Sequence, residues 1–215
     1  MAHADAGHMT TSTGVDNKKL FMWLFLASEV LFFGSLIAAY LLYRGQHNVP
    51  CVDGDLSACV FPTDRTINGV AYEGIFDIPF TSVSAFVLLM SSVTMVLALA
   101  AIQRGNIRAM QIWLFTTAAL GALFVGGQAF EFTEFYREGL DLDTNLFGTT
   151  FYVLTGFHGA HVTVGVLILF SLLIWSSRGK IESKDSLNIE LAGLYWHFVD
   201  IVWIVIFTLI YLIQP

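Results

Sequence analysis

Five stretches of this chain run almost without charge and without polar alternation, at about 20–43, 79–103, 110–135, 149–176 and 190–213. A helix rises 1.5 Å per residue, so each run exceeds the roughly 20 residues needed to cross about 30 Å of hydrocarbon. Strands of a barrel would read instead as alternating segments of about ten residues, which makes helices the spanning form. The polar stretches between the runs are short except for 44–78, which holds Pro50, Pro62, Gly54, Gly69 and several Asp and reads as an extramembrane loop. Residues 1–17 form a polar lead, and 18–215 read as one bundle. The first run follows Lys18-Lys19 and resembles a signal peptide at a glance. It is too long for an h-region and lacks a small-residue cleavage site, so it reads as a retained first helix. The predicted fold is all-α, a polytopic bundle of five transmembrane helices.

Composition strengthens this reading. The 215 residues are 56% apolar and 13% charged, against about 25% charged in soluble domains, which is too little charge to coat a globule in water. A net charge of −7 excludes a nucleic-acid binder. The few cations are unevenly placed. Lys18, Lys19, Arg104, Arg108, Arg178, Lys180 and Lys184 flank one end of the runs, and Arg44, Arg65 and Arg137 the other. By the positive-inside rule the N-terminus is cytoplasmic and the C-terminus outside. Cys51 and Cys59 fall in the outer loop, either as two thiols or as a disulfide worth roughly 2.5 kcal/mol through loop closure. His3 and His8 lie in the polar lead and suggest no metal site.

Ionisable groups at bilayer depth require a reason, since each costs about 2.5–3.5 kcal/mol to insert. Glu29 in the first run, His158 and His161 in the fourth, and His197 and Asp200 in the fifth all fall near mid-depth, while Glu131, followed by Glu134 and Glu138, lies nearer the outer end of the third. His158 and His161 are i,i+3 and are expected to share a face, as are His197 and Asp200, with Glu190 seven residues before His197. A buried polar cluster is the expectation, with three readings open. It is a haem or metal site using His158, His161 and His197, a proton relay through Glu29, His158 and Asp200, or a hydrogen-bond network that sets helix register and contacts a partner or lipid.

Packing signals add to the picture. Ala118, Ala122 and Gly126 form a small-residue stripe, as do Gly156 and Ala160, and such stripes allow close helix approach within the chain or against another subunit. Phe21, Trp23, Tyr40, Tyr43, Phe135, Tyr136, Phe151, Tyr152 and Tyr211 stand at run ends as candidate interface belts. Dinucleotide, phosphate-loop, C-x-x-C and nucleophile-elbow motifs are absent, as are the paired broken helices of secondary transporters. By elimination the chain reads as a structural or proton-handling subunit of a larger membrane complex.

Two segments carry a resemblance: Thr155-Gly-Phe-His-Gly-Ala-His-Val-Thr-Val-Gly165 and Tyr195-Trp-His-Phe-Val-Asp-Ile-Val-Trp203. Ser28-Glu29-Val30 with Phe32-Phe33, and Gln128-Ala-Phe-Glu131 with Glu134, extend it. In order, over 18–213, the chain resembles subunit III of haem–copper cytochrome c oxidases in a five-helix bacterial form. The resemblance implies a chain with no haem or copper of its own, packed against subunit I, with subunit II in the same complex and phospholipid bound nearby. It matches Glu29 to the family's buried, carbodiimide-reactive carboxylate. Glu131, His158, His161, Glu190, His197 and Asp200 match its other polar positions, and Tyr195, Trp196 and Trp203 its motif aromatics. It also implies support of proton uptake into subunit I, with cytochrome c as donor to the complex. Quinol oxidases share the five-helix layout; Glu29 and Tyr195 tilt the resemblance toward a cytochrome c oxidase. The alternatives of another class are a proton-coupled transporter and a haem-binding membrane anchor.

Overall fold

The computed structural model describes residues 16–44, 65–67, 70–72, 76–137, 140, 142 and 146–213. Cys51, Cys59, His3, His8 and Glu138 lie outside the described residues. Five long helices cover the five apolar runs: α1 Asn17–Arg44, α2 Ile78–Gln103, α3 Ile107–Arg137, α4 Leu146–Ser177 and α5 Ser186–Phe207. All are long and apolar enough to cross a membrane. The helices extend a few residues past the runs because polar residues at their ends still complete helical hydrogen bonds and caps.

The helix ends show why the chain turns where it does. Asp77 caps α2 by accepting the Phe80 N–H at 3.0 Å, with Pro79 in the first turn, where its missing N–H is not needed. Asn106 does the same for α3 through the Ala109 N–H at 3.0 Å. The two turns at the Lys/Arg-rich end share one device. Gly105 (φ +76°) and Gly179 (φ +68°) take the left-handed conformation. The N–H groups of Asn106 and Lys180 then reach back to the carbonyls of Ala101 and Trp175 at 3.0 and 3.1 Å. This satisfies the last carbonyls of α2 and α4.

The long loop between α1 and α2 contains a short hairpin. β1 (Arg65–Ile67) pairs antiparallel with β2 (Val70–Tyr72), Thr66 opposite Ala71. The sequence signal for it is Asn68-Gly69 between two short β-prone runs.

α2, α3, α4 and α5 form a tight core, and α1 leans on α4 and α5 alone among the major packings. The asymmetry is large: 11% of the apolar spanning stretch in α1 is buried, against 50% of the one within Ser183–Leu212. α1 contributes a narrow inward seam of Leu26, Phe33 and Tyr40, one residue every seventh position. α2 buries Thr81, Ala85, Leu88, Ser91, Met95 and Ala98 at the three-to-four spacing of a helix with a whole face inside. At the centre of the core stands Trp196. A Cβ added at Gly165 would lie 2.8 Å from its ring, and one at Gly121 closer still, so only glycine leaves room for the indole. Its Nε1 donates to Ser91 Oγ at 2.9 Å, which ties α5 to α2 between α3 and α4.

The small-residue stripes do not pack within the chain as a whole: a Cβ added at Gly126 or Gly156 would meet nothing within 4 Å, Ala122 and Ala160 are exposed, and Ala118 is fully buried. The close approaches fall on Gly121, Gly159 and Gly165 instead, because those face Trp196 and Gln128. Phe21, Trp23 and Tyr136 stand exposed as a belt would, but Tyr40, Phe135, Phe151 and Tyr211 are core residues. Phe76, just ahead of α2, packs 5.4, 5.3 and 4.8 Å from the Phe135, Phe151 and Tyr211 rings and so roofs the loop end of the bundle.

Candidate functional site

The predicted polar residues do not form one cluster. They divide among three places according to which helix face each occupies.

The first place is a cleft between α1 and the α4–α5 pair. His161 on α4 holds Glu29 of α1, Nε2 to Oε2 at 3.2 Å, with both side chains largely shielded. Its other nitrogen, Nδ1, faces the Phe157 carbonyl at 2.7 Å. A carbonyl only accepts, so Nδ1 carries a proton. Tyr195 Oη donates to the His161 carbonyl at 2.9 Å, fixing α5 to α4 at this level. From this pair the cleft runs toward the Lys/Arg-rich end for a volume of about 790 Å³, past Phe25, Val164, Ile168, Leu172 and Trp175. At that end Lys19 pairs with Glu190 at 2.7 Å, both about one-third exposed. Glu190 is thus a surface partner of α1 and not a member of the mid-depth cluster: seven residues of helix keep the direction but place it a full 10 Å away, near the helix end.

The second place is the core. His158 is fully buried and stacks on Trp203 at 4.8 Å between ring centres, with Phe124 edge-on to both rings. His197 turns toward α2, where Ser92 Oγ meets its Nδ1 at 2.6 Å. Asp200 is buried beside Ser92. The order Asp–Ser–His, with serine in the middle, differs from a nucleophilic triad, in which the imidazole stands between acid and hydroxyl.

The third place is the loop end. Glu131 accepts a hydrogen bond from Thr81 of α2 and lies 3.5 Å from the Tyr211 hydroxyl. Tyr211 reaches inward from a π-helical turn, Thr208–Leu212, that follows α5. One turn deeper, Gln128 Nε2 donates to the Thr155 carbonyl at 2.9 Å, joining α3 to α4. Glu134 sits apart in a surface pair with Arg137 at 2.8 Å.

His158, His161 and His197 consequently point at three different neighbours, Trp203, Glu29 and Ser92, and no two of them face each other as paired ligands would. Among the described residues no group of three or more His, Cys, Asp and Glu could hold a metal ion. Ser91, Ser92, Thr81 and Tyr211 carry much of the network; the sequence marks none of the first three, and Tyr211 only as a belt aromatic. Hydroxyl residues are common in membrane helices, usually bonded to their own backbone, and only the facing partner distinguishes these four.

A bundle of five helices long and apolar enough to cross a membrane, with polar groups between them, is the form of a polytopic membrane protein. The profile of the family "Cytochrome c oxidase subunit III" matches residues 4–214, and the chain belongs to that family, making it an integral membrane protein. It is 38% identical over 200 residues to the cytochrome c oxidase subunit 3 of Thermostichus vulcanus, covering 92% of this chain and 88% of that one. It is 38% identical to the subunit of that name from Synechocystis sp., over 99% of this chain and 80% of the relative. The quinol oxidase subunit 3 of Bacillus subtilis is 32% identical, over 99% and 97%.

Proposed function

We propose that this chain is the non-redox subunit III of a bacterial respiratory haem–copper oxidase, a complex that reduces O2 to water and translocates protons across the inner membrane. The observation that carries the reading is the family match over nearly the whole chain. The divergent histidines fit it, since haem and copper then belong to partner subunits. In this reading the chain packs against subunit I, beside subunit II, and stabilises it. In this reading cytochrome c is the donor to the complex, following the tilt of Glu29 and Tyr195; relatives named cytochrome c oxidase subunit 3 are 34–38% identical and those named quinol oxidase subunit 3 are 32–33%. Lys18, Lys19, Arg104, Arg108, Arg178, Lys180 and Lys184 mark the cytoplasmic end. Phospholipid fits the apolar cleft beside α1, with its headgroup near Lys19. The Glu29–His161 pair supports proton uptake from within that cleft.

Purification through a tag on this chain in mild detergent tests the assignment. A haem-bearing large subunit should accompany it, and the visible spectrum should leave with that subunit when the two are separated. A haem spectrum that stays with the isolated chain refutes the reading, and a colourless chain without partners favours a transporter. Turnover with reduced cytochrome c against quinol decides the donor. Glu29→Gln keeps a neutral hydrogen-bonding side chain beside His161. Lost turnover with intact assembly supports the proton role, and unchanged turnover removes it.

A further inference from the structure

Among the described residues, five buried side-chain polar atoms have no hydrogen-bond partner within the chain, and all belong to three residues: both ring nitrogens of His158, both carboxyl oxygens of Asp200 and the indole Nε1 of Trp203. None of the three residues is more than 3% exposed. Asp200 and Trp203 are i,i+3 on α5 and share a face, and the His158 ring stacks on Trp203 from α4. Of the neighbouring polar groups, Trp196 Nε1 bonds Ser91 and Gln128 Nε2 bonds the Thr155 carbonyl, while Ser92, which meets His197 Nδ1, is the polar side chain beside Asp200. Native interiors leave few buried polar groups unpaired, and Trp203 stands between the other two, against the His158 ring and one turn from Asp200, so one small polar molecule at Trp203 is a natural partner for them.

We propose that His158, Asp200 and Trp203 form a binding site for buried water at the centre of the helix bundle. Their chemistry is complementary to it. The indole N–H can only donate, a carboxyl C=O oxygen accepts, and the neutral imidazole offers one donor and one acceptor. A water that accepts from Trp203 and donates to Asp200 and to the bare nitrogen of His158 makes three bonds, the usual number for internal water. The oxygen and nitrogen left over are served by a second molecule in the same place. Phe124, edge-on to both rings, closes the site toward α3. A direct His158–Asp200 bond would satisfy one atom of each and leave the indole alone.

The test is a density map of the complete, lipid-embedded complex at a resolution that shows ordered water. A peak within hydrogen-bond distance of Trp203 Nε1 and of His158 or Asp200 is the expected result. Absence of any peak, or a direct His158–Asp200 bond that fills the space, overturns the proposal. Trp203→Phe keeps an aromatic ring against His158 and removes the donor. The peak should be lost or should move from that position, and an unchanged peak overturns the assignment of Trp203. The unmodified complex decides the question even where a variant does not assemble. The site lies within this chain, so the outcome does not depend on the electron donor or on the partner subunits.

Discussion

His158 and His161 stand one turn apart on α4, yet one is stacked on Trp203 in the core and the other holds Glu29 in a cleft at the edge. The two regions they enter are built differently. In the α2–α5 core, fully buried aromatics fit against glycines, and polar groups bond across helices. On the α1 side a single seam of Leu26, Phe33 and Tyr40 does the packing, and the polar contacts line an open groove. Between helices in lipid the hydrophobic effect contributes little, so close packing and hydrogen bonds hold them together. The core has both in quantity; α1 has less of each and depends more on its polar contacts.

The largest consequence should appear at Trp196. Trp196→Ala empties the centre of the core and should cost about 3–5 kcal/mol, read as a lower melting temperature or loss of the chain from the purified complex. Trp23→Ala on the exposed face of α1 should stay within about 0.5 kcal/mol; equal losses at the two tryptophans would erase the contrast. Gly165→Val drives a side chain into the Trp196 ring and should cost about 1–3 kcal/mol as overpacking. Adding Trp196→Phe should recover part of that, because the two sites share one space.

A smaller effect is expected in the cleft. His161→Leu leaves Glu29 without its partner and should destabilise by about 1–3 kcal/mol. Glu29→Leu combined with His161→Leu should restore most of the loss, since removing both partners leaves no orphaned carboxyl. A double variant worse than either single one would mean that the pair itself anchors α1. Smaller than the cleft effect is that of the Lys19–Glu190 pair, one-third exposed, where Lys19→Ala should cost about 0.2–1 kcal/mol and the difference should fade in high salt.

How far each feature was legible depends on the physics behind it. The five helices could be read directly, because in a bilayer every backbone polar group must be satisfied within its own segment, so an uncharged run of sufficient length has one outcome. The residues of the polar network could be named for a related reason: Glu29, His158 and Asp200 stand out against apolar neighbours. Their partners could not be read. Glu190 shares a helix face with His197 and still pairs at the surface with Lys19. Phe135, Phe151 and Tyr211 end their helices as belt aromatics do, and Phe76 draws them inside.

Length, hydropathy and the chemistry of single residues thus determined the class of protein, its five spans and its family motifs. Only the tertiary structure decided that His158 goes inward and His161 sideways, and that Trp196 closes the core against Gly121 and Gly165. A helical period assigns residues to faces, but two positions three apart differ by about 60° around the axis. Near the boundary between two neighbouring helices that angle is enough to send them to different partners.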